Sequence, residues 1–146
     1  MHDDLRVLPE QFYPLIDAYI AEHERGDRRV VVFLATDDSG YRNATLARYG
    51  DRLAMQNGGA VDRSEGQTAI WQSRDASRSL RRGTEVMLDT MLLSRCDYLL
   101  KPASAVSEWA IYFNPALGPN SFTLGLPDGE GVGQPQPRWM AGLDPQ

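Results

Sequence analysis

Two adjacent carboxylates, Asp37 and Asp38, stand just after the most apolar run of the chain, 30–35, and Ser39 follows them. At the end of a buried strand, such a pair can hold a cation, position an arginine or hydrogen-bond a ligand. The same residues suit a turn into a helix, where Asp and Ser are favoured. A second polar stretch, Ser104-Ala105-Val106-Ser107-Glu108, follows the apolar Tyr98-Leu99-Leu100 and Lys101-Pro102. Small hydroxyl residues at a helix start leave backbone N–H groups facing outward, which suits a phosphate or diphosphate. Ser104 with Ser107 or Glu108 also reads as a capping box.

Asp89 is a third candidate. In EVMLDTMLLSRC the helical period places it with Leu88, Leu92, Leu93 and Cys96. A carboxylate on an apolar face requires a partner. That partner is either a nearby cation, Arg81 or Arg82, or a ligand with paired N–H donors such as a guanine edge. Arg74, Arg78, Arg81 and Arg82 form a basic cluster, a solvated face or a contact for phosphate through Arg81 and Arg82.

Other chemistries find little support. The 146 residues include one cysteine, Cys96, and two histidines, His2 and His23. An internal disulfide is therefore impossible, and neither a structural zinc site nor a catalytic triad is expected. No P-loop or dinucleotide-binding glycine pattern occurs. The net charge of -5 argues against nucleic acid or an anionic membrane as partner. No apolar run reaches membrane-spanning length, and MHDDLR lacks the regions of a signal peptide, so a cytoplasmic protein is expected.

The elements that must position these residues follow from periodicity. Phe12, Leu15, Ile16, Tyr19 and Ile20 form an amphipathic stripe, so a helix is predicted from near Pro14 to about Gly26. The run 30–35 lacks polar alternation and predicts a strand covered on both faces. Ser39 is placed as the cap of a helix over 40–48 that ends at Gly50. A short strand over 52–55, a long polar loop over 56–79 and a helix over about 84–95 follow. A strand over 97–101, a helix over 105–113 and a strand over 121–124 complete the order. The alternation predicts an α/β fold with one open, doubly wound, mostly parallel, Rossmann-like sheet. Residues 1–125 are expected to form one domain, and 126–146 an irregular Pro/Gly-rich tail.

Two family resemblances compete. DYLLKP and the acidic pair resemble parts of a phospho-receiver domain, but RLAMQNG lacks the aspartate that such a domain accepts phosphate on. The ordered blocks VVVFLATDD, RRGTEVMLDTMLLSRCDYLL and ASAVSEWAIYFNP, within residues 9–118, more closely resemble the GDP-fucose-dependent fucosyltransferases. These are the Nod-factor and core α-1,6-fucosyltransferases and, more distantly, the protein O-fucosyltransferases.

The resemblance implies the donor-binding C-terminal half of an inverting GT-B glycosyltransferase that uses GDP-fucose as donor substrate and no metal. It implies that Asp89 reads the guanine base and that Ser104, Ala105, Ser107 and Glu108 surround the diphosphate, Ala105 standing where a second serine is common. Asp37 and Asp38 would flank the site. The family's His-x-Arg-x-x-Asp-type motif, expected just before residues 9–25, does not occur in MHDDLRVLPEQ, so no catalytic residue is assigned. The expectation is weak or no turnover by this chain alone, with a partner half or self-association covering exposed apolar surface. The alternative is a non-catalytic nucleotide-binding module.

Overall fold

The computed structural model describes residues 7–59, 79–126 and 136–143. The chain divides into two compact units, residues 1–30 with 94–146 and residues 31–93.

In the first unit, helix α1 (Pro9–His23) opens with Pro9 in its first turn, where the missing N–H is not needed. The Gln11 side chain accepts from the Leu8 N–H at 2.7 Å, closing the first turn. Pro14 lies inside the helix rather than at its start. At this early position, the lost hydrogen bond is offset by burial of Leu15, which is 1% exposed. The helix ends three residues before Gly26, whose φ of 60° favours glycine.

Strands β3 (Leu99–Pro102) and β4 (Ser121–Leu124) pair in parallel, with Leu99 opposite Ser121 and Pro102 opposite Leu124. A parallel pair needs a crossover, supplied here by helix α4 (Ala105–Phe113) and a 3₁₀ segment, Pro115–Asn120. Val7, Leu15, Phe122, Leu124 and Met140 form the core, and Phe12, Leu100 and Trp139 pack against it. Met140 sits in a 3₁₀ turn, Arg138–Met140. The region read as irregular tail thus contributes a fully buried side chain, because an apolar Trp-Met pair gains more from burial than its Pro/Gly neighbours lose in freedom. Residues 127–135 and 144–146 of that region lie outside the described residues.

In the second unit, β1 (Val32–Phe33) pairs in parallel with β2 (Leu53–Ala54), joined through helix α2 (Ser39–Tyr49). The bond from Leu34 N–H to the Ala54 carbonyl, 2.9 Å, extends the ladder. Only two of the six apolar residues at 30–35 are in the strand, and Val31 is 60% exposed. The two-sided burial expected of that run is absent here.

Helix α3 (Ser79–Leu93) starts five residues earlier than periodicity suggested. An i,i+4 pair, Arg81 Nε to Glu85 Oε1 at 2.9 Å, spans Gly83 and ties the first turns together. Of the predicted loop, Gln56–Gly59 is a 3₁₀ turn and 60–78 falls outside the described residues. The α/β class with parallel pairing is therefore present, as two two-stranded sheets, β1–β2 and β3–β4.

Replacing Met140 with alanine removes a fully buried side chain and is expected to cost about 2–4 kcal/mol in urea unfolding. A loss below about 0.5 kcal/mol would mean that this turn does not belong to the core.

Candidate functional site

Asp38 follows β1 and caps α2. Its Oδ1 accepts from Gly40 N–H at 2.7 Å and from Tyr41 N–H at 3.0 Å. Thr36 Oγ1 accepts in turn from the Asp38 N–H at 3.1 Å. The cap is thus Asp38 rather than Ser39, because the aspartate carboxylate reaches two orphan amides at once. Gly40 fits the turn closely, since a Cβ there would stand 3.0 Å from Asp38 Oδ1.

Asp89 is half-buried, and its surroundings differ from the apolar face that periodicity suggested. Leu88 and Leu92 are exposed, as are Leu80, Met87 and Met91, whereas Glu85 and Thr90 are buried. With its amide nitrogen turned toward α3, Gln56 donates to Asp89 Oδ1 at 3.0 Å and to the Glu85 carbonyl at 3.1 Å. Gln56 is itself buried. Arg81 pairs with Glu85, one turn before Asp89. The sequence reading supplied arginine or a ligand as the partner. The structure adds a neutral amide from the 3₁₀ turn after β2, a contact that no local spacing encodes.

In the other unit, Ser104 caps α4. Its Oγ accepts from the Ser107 N–H at 3.4 Å and lies 3.1 Å from Ser107 Oγ. Ser107 is buried and its hydroxyl lies 2.8 Å from the Ser104 carbonyl and 3.3 Å from that of Pro102. Ser104 and Ala105 remain exposed at the helix N-terminus. Lys101, expected as a plain strand end, is buried and forms an ion pair with Glu108, whose side chain is mostly exposed. Ser107 and Glu108 thus face structural partners, and Ser104 with Ala105 forms the outward part of this turn. Asp37, Asp38, Arg81, Arg82 and Asp89 belong to the 31–93 unit, and Ser104, Ala105, Ser107 and Glu108 to the other.

Sequence reasoning missed an aromatic group in the first unit. Tyr19, Tyr98 and Trp139 lie with ring centroids 5.1–5.4 Å apart, the tryptophan plane at 86° to Tyr19 and 78° to Tyr98. His23 stacks on Tyr19 at 3.9 Å, and its Nδ1–H donates to the Tyr19 carbonyl at 2.9 Å. These rings line a cavity of about 360 Å³ together with Asp97 and Asn120. Only Tyr19 belonged to a recognised periodic stripe, His23 lies one turn further along α1, and Tyr98 and Trp139 arrive from distant segments. Burial first, then the Tyr19 ring beside it, pushes the Tyr98 phenol up to about 12. Tyr19 and Cys96 are also shifted up, each by burial first and then by the Asp97 charge.

Among the described residues, no group of three or more His, Cys, Asp or Glu side chains is placed to hold a metal, and no helix is long and apolar enough to cross a membrane. The chain matches no protein-family profile, no curated protein and no solved structure.

Two outcomes are expected. Asp38→Ala leaves two amides at the start of α2 uncapped and costs about 1 kcal/mol in unfolding assays, with Asp38→Asn recovering most of it. Tyr98 keeps its proton in the folded state up to about pH 12, while the unfolded chain releases it near the ordinary value of 10.0. Its contribution to stability is therefore complete below the lower value and is lost as pH climbs to the upper one. Tyr98→Phe should flatten that alkaline decline in urea titrations, and an unchanged slope would contradict the shift.

Proposed function

We propose that the chain is a donor-binding portion of an inverting glycosyltransferase of the GDP-fucose type, with Rossmann-like strand–helix–strand units. One observation carries the reading. Both parallel strand pairs send a strand into a capped helix N-terminus, at Asp38 before α2 and at Ser104 before α4. In α/β proteins such ends are where anionic ligands bind, because exposed N–H groups and the helix dipole face them. The sequence blocks that resemble the fucosyltransferases fall on these two turns and on α3.

On this reading, the α4 N-terminus at Ser104 and Ala105 receives the diphosphate, and Ser107 and Glu108 hold the turn in shape from behind. Asp89 reads the guanine edge, held in orientation by Gln56. Asp37 and, for phosphate, Arg81 or Arg82 are the further donor contacts proposed within the 31–93 unit. No metal is required. Apolar surface on α3 (Leu80, Met87, Met91) and α4 (Trp109, Tyr112, Phe113) is in keeping with contact to a partner half or with self-association.

A second reading, a nucleotide-binding module without transferase activity, draws support from the internal engagement of Asp38 and Asp89. Their carboxylates already serve the fold, which leaves less of them for a ligand.

GDP is expected to raise the melting temperature more than ADP does, and Asp89→Asn should remove the difference while keeping a partner for Gln56. Equal responses to the two nucleotides would refute the base-reading role. Donor hydrolysis or transfer measured with GDP-fucose then separates the enzyme from the module.

A further inference from the structure

The cavity formed by Tyr19, Tyr98 and Trp139 has a chemical character that the nucleotide-sugar reading does not use. It lies wholly within the unit of residues 1–30 and 94–146. At about 360 Å³ it suits a small molecule rather than a nucleotide sugar. Among the described residues that line it, three electron-rich rings stand with one carboxylate, Asp97, and with neither lysine nor arginine. Asp97 is exposed and has no hydrogen bond or ion pair within the described residues. The Tyr98 hydroxyl is buried without a hydrogen-bond partner, an expense that a ligand able to donate to it would remove. His23 also lines the cavity, stacked on Tyr19 with its Nδ1–H directed at the Tyr19 carbonyl.

We propose that this pocket binds a small organic ammonium ion. The cation would lie against the negative faces of the aromatic rings, with its N–H groups donating to the Asp97 carboxylate and to Tyr98 Oη. Each element answers a separate need of such a ligand. The rings attract a desolvated positive charge, the carboxylate pairs with it, and the hydroxyl accepts a proton donor. A neutral sugar would also stack on the rings, yet it would leave the charge of Asp97 unused. Burial first, and the Asp97 charge second, favour the protonated form of Tyr19, and the second cause agrees with a locally negative pocket. The inference does not rest on the glycosyltransferase reading, and either can fail without the other.

Nuclear magnetic resonance of the Trp139 indole N–H in the full chain tests it, with butylammonium, its neutral counterpart butan-1-ol and glucose as separate probes. Butylammonium should shift the indole signal saturably at millimolar concentration, and butan-1-ol and glucose should not. Because Asp97 is exposed, Asp97→Asn keeps the fold and should weaken butylammonium binding about fivefold, the size of one exposed charge contact. Tyr98→Phe should weaken butylammonium but leave tetramethylammonium, which has no N–H to donate, unaffected. Equal binding of butan-1-ol, an unchanged affinity in Asp97→Asn, or no response to butylammonium would each overturn the proposal. A response to glucose alone would assign the pocket to carbohydrate instead.

Discussion

Parallel pairing is the constraint on which the described architecture depends. Two parallel strands cannot be joined by a tight turn, so each pair must be bridged by a helix that starts where the first strand ends. The carboxyl end of β1 therefore leads to α2, and that of β3 to α4. Both helices begin with unsatisfied amides, and both sequences supply a side-chain acceptor there, Asp38 in one and Ser104 in the other. The residues with the most chemical character sit where the topology itself demands polar groups. Structural and ligand-binding roles converge on the same turns for that reason.

The two units solve the problem of burial differently. In the first, Leu15, Phe122, Leu124 and Met140 form an apolar core, and Lys101, a buried cation, is answered by Glu108. In the second, the buried side chains among the described residues are Thr45, Gln56, Glu85 and Thr90. There Gln56 bridges Asp89 and the Glu85 backbone, and Arg81 closes on Glu85. Leucines and methionines of α3 point to solvent instead. Hydrogen bonds contribute modest net stability, so a polar interior of this kind specifies geometry more than it adds free energy. Replacing one member without its partner would leave an unsatisfied group behind.

Much of the element order was legible from periodicity and punctuation. The helix over 105–113 and the strand over 121–124 occur as read, because a hydroxyl cap before an apolar run and a short β-rich run after Pro-Asn are local signals. The errors have local explanations as well. Pro14 reads as a helix start only if tertiary burial is ignored, and Leu15 supplies that burial. Gly83 reads as a helix boundary only if the Arg81–Glu85 pair across it is overlooked. The buried face of α3 was misjudged because a stripe of leucines announces a core only when something apolar covers it. Of the candidate site, the two capped turns were legible and the Gln56–Asp89 contact was not, since it joins residues far apart in sequence.

By itself the sequence determined the α/β class, the parallel strand–helix alternation and the polar turns after the apolar strands, since propensity, capping and periodicity act over a few residues. Only the tertiary structure decided that Asp89 pairs with an amide, that Lys101 is buried against Glu108, and that Tyr19, Tyr98 and Trp139 meet beside Asp97. Each of those outcomes depends on which distant segments share a surface, and that is settled by packing and charge compensation rather than by local preference.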